Sequence, residues 1–383
     1  MKTTRQGISD IGKWQFIKSG LFRNHVFAVL LILFLFISFG ISGQSVSCEP
    51  VRIDDREFRI STPAEAANKR LEIIRAIWGS DHIPDRCNVR VTSGIVTPIA
   101  TGRLAARVDK FEIPVDRVDS VKDLAYFFVP VNRNNRLVLF CPGHSCSLKD
   151  TVNPSPRIEA TIIGLLSAGF DVLSVYMPHI SEDTCDLDHC RIFNTNLGYS
   201  NPPATYGLRL FLDPTLVSLN YLLNQNQYKD VNMVGLSGGG WTTNLIAAVD
   251  DRIRLSFSVA GSMPIYYRYG GSIGDIEQSL PQLYRDIAGY PDIYILDGFG
   301  EGRKLTQIFD RYDHCCFGEK QHDPSRNYIV DLQLFEKYMQ DKLKTMELEG
   351  HYYQVIDEVA PCHQISEYAL FQVILPGLNT KLP

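Results

Sequence analysis

The stretch VGLSGGGW sets one serine, Ser237, among four glycines, between the apolar run VNMVGL and the helix-like segment WTTNLIAAV. Glycine weakens strands and helices alike, so this density marks a backbone that turns sharply and is approached closely. A serine hydroxyl is a poor nucleophile near neutral pH. To attack a carbonyl it needs a base that takes its proton and a carboxylate that holds the base in the right tautomer. Downstream of Ser237 the sequence offers His314, His322, His351 and His363 as bases. The carboxylates to weigh are Asp297 and Glu301 in LDGFGEGR, and Asp310 and Asp313 in KLTQIFDRYDHCCF. The glycines of GFGEGR fit no nucleotide-binding fingerprint, and the segment reads as a turn.

These residues need elements to position them. Extended segments rich in Val, Ile and Phe come first: NVRVTSGIV, ARVDKFEIPV, LAYFFVPV and RLVLFCPGH. Strands and helices then alternate. IEATIIGLLSAG is helical, FDVLSVYMP a strand, LDPTLVSLNYLLNQ helical and VNMVGL a strand, followed by the helix after Ser237. RLSFSVAGS, KLTQIFDRYD and YYQVIDEV are further strands, with a long helix in YIVDLQLFEKYMQDKLKTM and a closing one in QISEYALFQVILPGL. Such alternation predicts an α/β fold, a mostly parallel sheet covered on both faces, with antiparallel strands from the early segments at one edge. Ahead of it, STPAEAANKRLEIIRAIWG carries a capping residue and Pro63 in the first turn of an expected helix. Residues 179–209, rich in Asp, Asn, Pro and Gly, interrupt the alternation and read as a lid or a stapled surface loop.

The 383 residues, 45% hydrophobic and 21% charged, suit a globular chain with a sizeable core. A net charge of −5, with no basic run interleaved with aromatics, argues against nucleic acid as a partner. Residues 26–43, VFAVLLILFLFISFGISG, form an uncharged run preceded by Lys13, Lys18 and Arg23. As a helix it would span roughly 27 Å against a hydrocarbon core of ~30 Å. The basic flank predicts a single-pass membrane anchor, with residues 1–25 cytoplasmic and the rest on the extracytoplasmic side. A cleaved signal peptide is the competing reading, and would leave a secreted protein. All nine cysteines follow this run, where an oxidising compartment would let most of them pair. Cys185 and Cys190 in CDLDHC read first as a disulfide; a metal site from Cys185, Asp186, Asp188, His189 and Cys190 is the alternative. Cys315 or Cys316 is expected to bridge to Cys362, since a paired acid and base would bring those loops together.

Placed between a buried strand and a helix, Gly235-Leu-Ser237-Gly-Gly239 fits G-x-S-x-G, the nucleophile elbow of the α/β-hydrolases. With the loop CPGHSCS, the acid loop and the terminal histidine in order, the chain resembles that superfamily over residues ~105 to 383. In layout it is similar to secreted esterases related to acetyl xylan esterases and dienelactone hydrolases. The resemblance implies chain order Ser, acid, His, and therefore His363 in VAPCHQIS as base, just past the last strand. Asp313 is the best-placed acid, with Asp310, Asp297 and Glu301 as alternatives. The oxyanion donors are implied to be the N–H of Gly238 and one from Ser145 or Cys146, Ser145 standing where esterases carry glycine; His144 reads as structural. The implied arrangement is residues 44–104 as an N-terminal extension and 105–383 as the hydrolase domain. The implied chemistry is hydrolysis of a small-molecule or glycan carboxylic ester through an acyl-serine, with no metal or organic cofactor. A serine peptidase or acyltransferase on the same residues, and a non-catalytic tethered binding domain, are the alternatives.

Overall fold

A computed structural model describes residues 52–97, 104–114, 123–144, 156–178, 189–193, 203–269, 274–348 and 351–380. The expected membrane segment, Ser145, Cys146 and Cys185 lie outside these residues. Among the described residues no helix is long and apolar enough to cross a membrane.

Among the described residues nine strands form one sheet: β1 (Arg90–Ser93), β2 (Ala105–Ile113), β3 (Asp123–Pro130), β4 (Leu137–Cys141), β5 (Asp171–Val175), β6 (Val231–Leu236), β7 (Ile253–Val259), β8 (Lys304–Asp310) and β9 (Tyr352–Asp357). Their spatial order is β1-β2-β3-β5-β4-β6-β7-β8-β9. The first three strands and the β3–β5 pair are antiparallel, and every pair from β5 through β4 to β9 is parallel. The nine strands coincide with the nine extended segments expected from the sequence. The antiparallel edge and parallel centre match as well.

The helices that cover the sheet are α1 (Pro63–Trp78), α2 (Pro156–Ser167), α3 (Arg209–Gln225), α4 (Gly238–Val249), α5 (Tyr290–Gly298) and α6 (Tyr328–Thr345), with a final helical stretch over 369–379. Period-two alternation divides each central strand between the two faces. On β4, Leu137, Leu139 and Cys141 join the core that contains α1, α3, α4, α5 and α6 residues; Val138 and Phe140 join the opposite core with Ile162, Leu165, Leu370 and Ile374. Burial on both faces is why the strands read as near-continuous apolar runs. Ile73, Ile74 and Ile77 of α1 belong to the first of these cores, and residues 46–383 form one compact unit. The start of α1 is fixed by a capping box, in which Thr62 accepts from the Glu65 N–H and Glu65 reaches back to the Thr62 N–H at 3.1 Å.

One helix escapes the sequence pattern. All nine residues of α5 are buried, so it has no amphipathic stripe to betray it. Asp297, weighed above as a loop acid, lies in its last turn. The turn that follows contains Arg303, itself buried, which donates to Ile253 O at 2.8 Å and Phe299 O at 2.7 Å and to Ala247 O. It thereby serves carbonyls at the C-terminal ends of both α4 and α5.

Candidate active site

The strand order reverses direction at β4: β5 lies on one side of it and β6 on the other. In open α/β sheets the crevice at such a point, beyond the carboxyl ends of the strands, is where ligands bind. The loop 142–144 leaves β4 there, Ser237 leaves β6, Asp313 follows β8 and His363 follows β9.

Ser237 stands between β6 and α4 with φ 59° and ψ −134°, a conformation rare for a residue with a side chain. Its N–H is bonded to Val259 O at 3.0 Å, and its carbonyl accepts from Gly240 and Trp241. The glycines around it are explained by what surrounds them. A Cβ on Gly239 would lie 1.9 Å from Cys141 O and 2.7 Å from Gly143 N. Gly143 adopts φ +86°, and a Cβ there would come 2.9 Å from Ser237 Cβ. The loop after β4 is thus pressed against the serine turn. The first N–H groups of α4 have no intrahelical acceptor and favour negative charge beside Ser237.

His363 Nδ1 lies 2.7 Å from Asp313 Oδ2, and the other ring nitrogen, Nε2, is buried without a hydrogen-bond partner. Asp313 is fully buried, and its Oδ1 accepts from the N–H groups of Cys315 at 2.7 Å and Cys316 at 3.3 Å. Burial, the largest single influence, raises its pKa. The bond to His363, the imidazolium charge and the two amides together outweigh burial and hold the carboxyl below its ordinary value. The structure therefore brings His363 and Asp313 together, each with a defined orientation.

The competing carboxylates are elsewhere or in another state. Asp310 Oδ2 accepts from the Gln364 N–H at 3.2 Å, and burial, reinforced by Asp357 and Asp313, pushes its pKa up to about 8. It is a neutral hydrogen-bonding group at neutral pH. Asp297 is bonded to Ser256 and Asn244 in the core, and burial raises its pKa to about 7. Among the other histidines, His322 pairs with Asp331 at 2.7 Å and His351 Nδ1 with Gly298 O at 2.7 Å. Gly238 stands directly after Ser237 as expected.

The cysteines need correction. Cys315 and Cys316 are bonded to each other, and Cys362 is a free thiol. The reason is local: Asp313 draws in the amides of both 315 and 316, curling the chain so that the neighbouring sulfurs meet. Cys190 is disulfide-bonded and so cannot supply the thiolate that the alternative metal site required.

His144 sits closer to the chemistry than its sequence suggests. A Cβ on Gly238 would lie 2.5 Å from its Cε1. Its Nε2 is 3.4 Å from Glu277 Oε1 and 3.6 Å from Asp275 Oδ2, while His189 Nδ1 bonds Glu277 Oε2 at 2.8 Å. Burial, the largest influence on Glu277, raises its pKa. The charge on His189, its hydrogen bond to Oε2 and the His144 imidazole beside Oε1 reverse this, lowering it to about 2. The two rings lie 4.9 Å apart, and His189 meets the edge of Phe211, which in turn packs on Trp241 of α4. Sequence reading missed this cluster because its members come from three segments with no spacing signature.

No protein-family model matches the sequence, and no curated protein is significantly similar to it. Solved structures are similar in fold. A methylesterase, BT1017, superposes with TM-score 0.55 at 13% identity, over 81% of this chain and 62% of its own, so the chain spans under two thirds of that protein. A CE15 glucuronoyl esterase from Teredinibacter turnerae T7901 gives TM-score 0.54 at 12% identity, over 86% of this chain and 89% of its own. The chain has the α/β-hydrolase fold. An acetyl xylan esterase described as putative, from Bacteroides fragilis NCTC 9343, shares that fold with TM-score 0.52 at 11% identity, over 81% of this chain and 79% of its own. Ser237 occupies the turn between the central strand β6 and α4.

Proposed function

We propose that this protein is a serine esterase that cleaves a carboxylic ester of a small molecule or glycan through an acyl-serine, with Ser237 as nucleophile, His363 as base and Asp313 as the acid that orients it. The observation that carries the reading is the 2.7 Å bond from His363 to a carboxylate held ionised, which leaves the buried Nε2 without a partner and able to take a proton. On this reading His363 deprotonates Ser237, the alkoxide attacks the ester carbonyl, and the N–H of Gly238 with a donor from Ser145 or Cys146 stabilises the oxyanion. The protonated His363 then gives its proton to the leaving alcohol, and water repeats the sequence on the acyl-serine. Similarity in fold to a glucuronoyl esterase and an acetyl xylan esterase supports a small-molecule or glycan ester as the substrate.

The test is covalent labelling with a fluorophosphonate, combined with turnover of methyl, acetyl and uronoyl sugar esters. The wild-type chain should label at Ser237 and turn over one ester class. Ser237→Ala should abolish labelling and lower kcat by several orders of magnitude, with a small residual rate from binding and the oxyanion donors. Near-full turnover by Ser237→Ala would refute the mechanism.

Residues 26–43 and their basic flank further support a tether that leaves the catalytic domain on the extracytoplasmic side. Protease added to intact cells should then digest residues beyond about 44. Protection of the domain in intact cells is the result that rules this topology out.

A further inference from the structure

His144, His189, Asp275 and Glu277 each bring one ligand-type atom to within 4.8 Å of all the others. They come from the loop after β4, the short helix His189–Phe193 and the segment around the short helix Ile276–Ser279, three pieces far apart in sequence. Glu277 is completely buried, yet its Oε1 has no hydrogen bond. A buried carboxylate oxygen without a donor is costly unless something cationic meets it. His144 Nε2 is likewise buried without a hydrogen bond, 3.4 Å from that oxygen and 3.6 Å from Asp275 Oδ2. Those separations are too long for good hydrogen bonds. They are what two ligands show across the edge of a tetrahedron whose metal–ligand bonds are about 2.0–2.2 Å, an edge of roughly 3.3–3.6 Å.

We propose that His144 Nε2, Asp275 Oδ2 and Glu277 Oε1 bind a divalent transition-metal ion of the zinc type. His189 completes the design from behind: its Nδ1 bonds the second oxygen of Glu277 at 2.8 Å and so fixes the carboxylate that ligates. One nitrogen and two oxygens suit zinc, or cobalt in its place, better than copper(I), which favours sulfur. Three protein ligands leave a fourth position for water or a substrate oxygen. The cluster borders the serine turn, because the His144 ring abuts Gly238, the residue after Ser237. The ion would tie the loop after β4 to the two inserted segments, and so hold the oxyanion side of the site in place. This departs from the cofactor-free chemistry that the esterase resemblance implies, and it does not depend on Ser237 acting as a nucleophile.

The experiment is metal binding by the purified full-length chain after treatment with a chelator. Zn²⁺ is titrated against a chromogenic competitor, and Co²⁺ is followed by its visible d–d absorption. The expected result is one equivalent of Zn²⁺ and a four-coordinate Co²⁺ spectrum. His144→Ala and Glu277→Gln should remove the spectrum, while His189→Ala should weaken Zn²⁺ by about 10–100-fold. If Glu277→Gln fails to fold, His144→Ala and Asp275→Asn, whose side chains are 21% and 56% exposed, carry the comparison. Absence of stoichiometric binding overturns the proposal and leaves the cluster as an imidazole–carboxylate network. Binding that survives unchanged in His144→Ala also overturns it, because the ion would then be held elsewhere.

Discussion

Two aspartates three residues apart illustrate how environment, not residue type, assigns a role. Asp313 is surrounded by donors: the His363 ring and the amides of Cys315 and Cys316. Asp310 receives a single amide, from Gln364, and faces Asp357 and Asp313, so it keeps its proton up to about pH 8. Only Asp313 can stabilise an imidazolium at neutral pH. Asp313→Asn should therefore lower kcat by about 10⁴, because the amide imposes the wrong tautomer on His363. Asp310→Asn should change kcat by less than about tenfold. Steady-state kinetics on a chromogenic acetate ester would check both, and a larger loss in Asp310→Asn than in Asp313→Asn would reverse the assignment.

At the scale of elements, the acid and base loops are held by the ends of the strands that launch them. Asp357, the last residue of β9, accepts from the N–H groups of Val359 and Ala360 at 2.8 and 3.0 Å and from the Ser366 hydroxyl. His363 lies inside the segment so closed. The serine turn is fixed differently, by close approach of backbones, since α4 passes so near β4 that only glycine fits at 239. Gly239→Ala places a methyl on Cys141 O, a backbone atom that cannot swing away. It should destabilise the chain by at least about 3 kcal/mol, seen as a lower denaturant midpoint at unchanged slope. A midpoint within experimental error of wild type would show that α4 can shift from β4 at little cost.

Across the whole molecule, the buried carboxyls make stability depend on pH. Asp310 releases its proton near 3.8 when the chain is unfolded and near 8 when it is folded. Between those values the folded state binds more protons, so the contribution of Asp310 to stability is full below about pH 4 and is lost as pH rises to about 8. Asn keeps the acceptor for Gln364 without a titrating proton. The Tm of Asp310→Asn should exceed that of wild type by several degrees at pH 8, and the gap should shrink towards pH 4–5. Scanning calorimetry of both chains across that range checks it. A gap that widens towards low pH would contradict the raised value.

Much of this was legible before any coordinates, because the determining forces are local. The central strands β3 to β8, buried on both faces, must be apolar almost throughout and were readable as such, and the edge strands were readable from their Val-, Ile- and Phe-rich extended segments. A serine turn squeezed between two backbones must be glycine-rich, which exposed Ser237. Chain order in the fold then directed attention to Asp313 and His363. Three features were hidden for physical reasons. A wholly buried helix, α5, has no polar face and so no period. The vicinal pairing of Cys315 and Cys316 follows from amides drawn to one carboxylate oxygen, a contact that no spacing rule encodes. The cluster of His144, His189, Asp275 and Glu277 exists only because the sheet reverses at β4 and folds three distant segments over one end of the strands. Sequence determines which residues can carry charge or ligate; only the tertiary structure decides which of them share a buried space, because burial removes the water that would otherwise keep them apart.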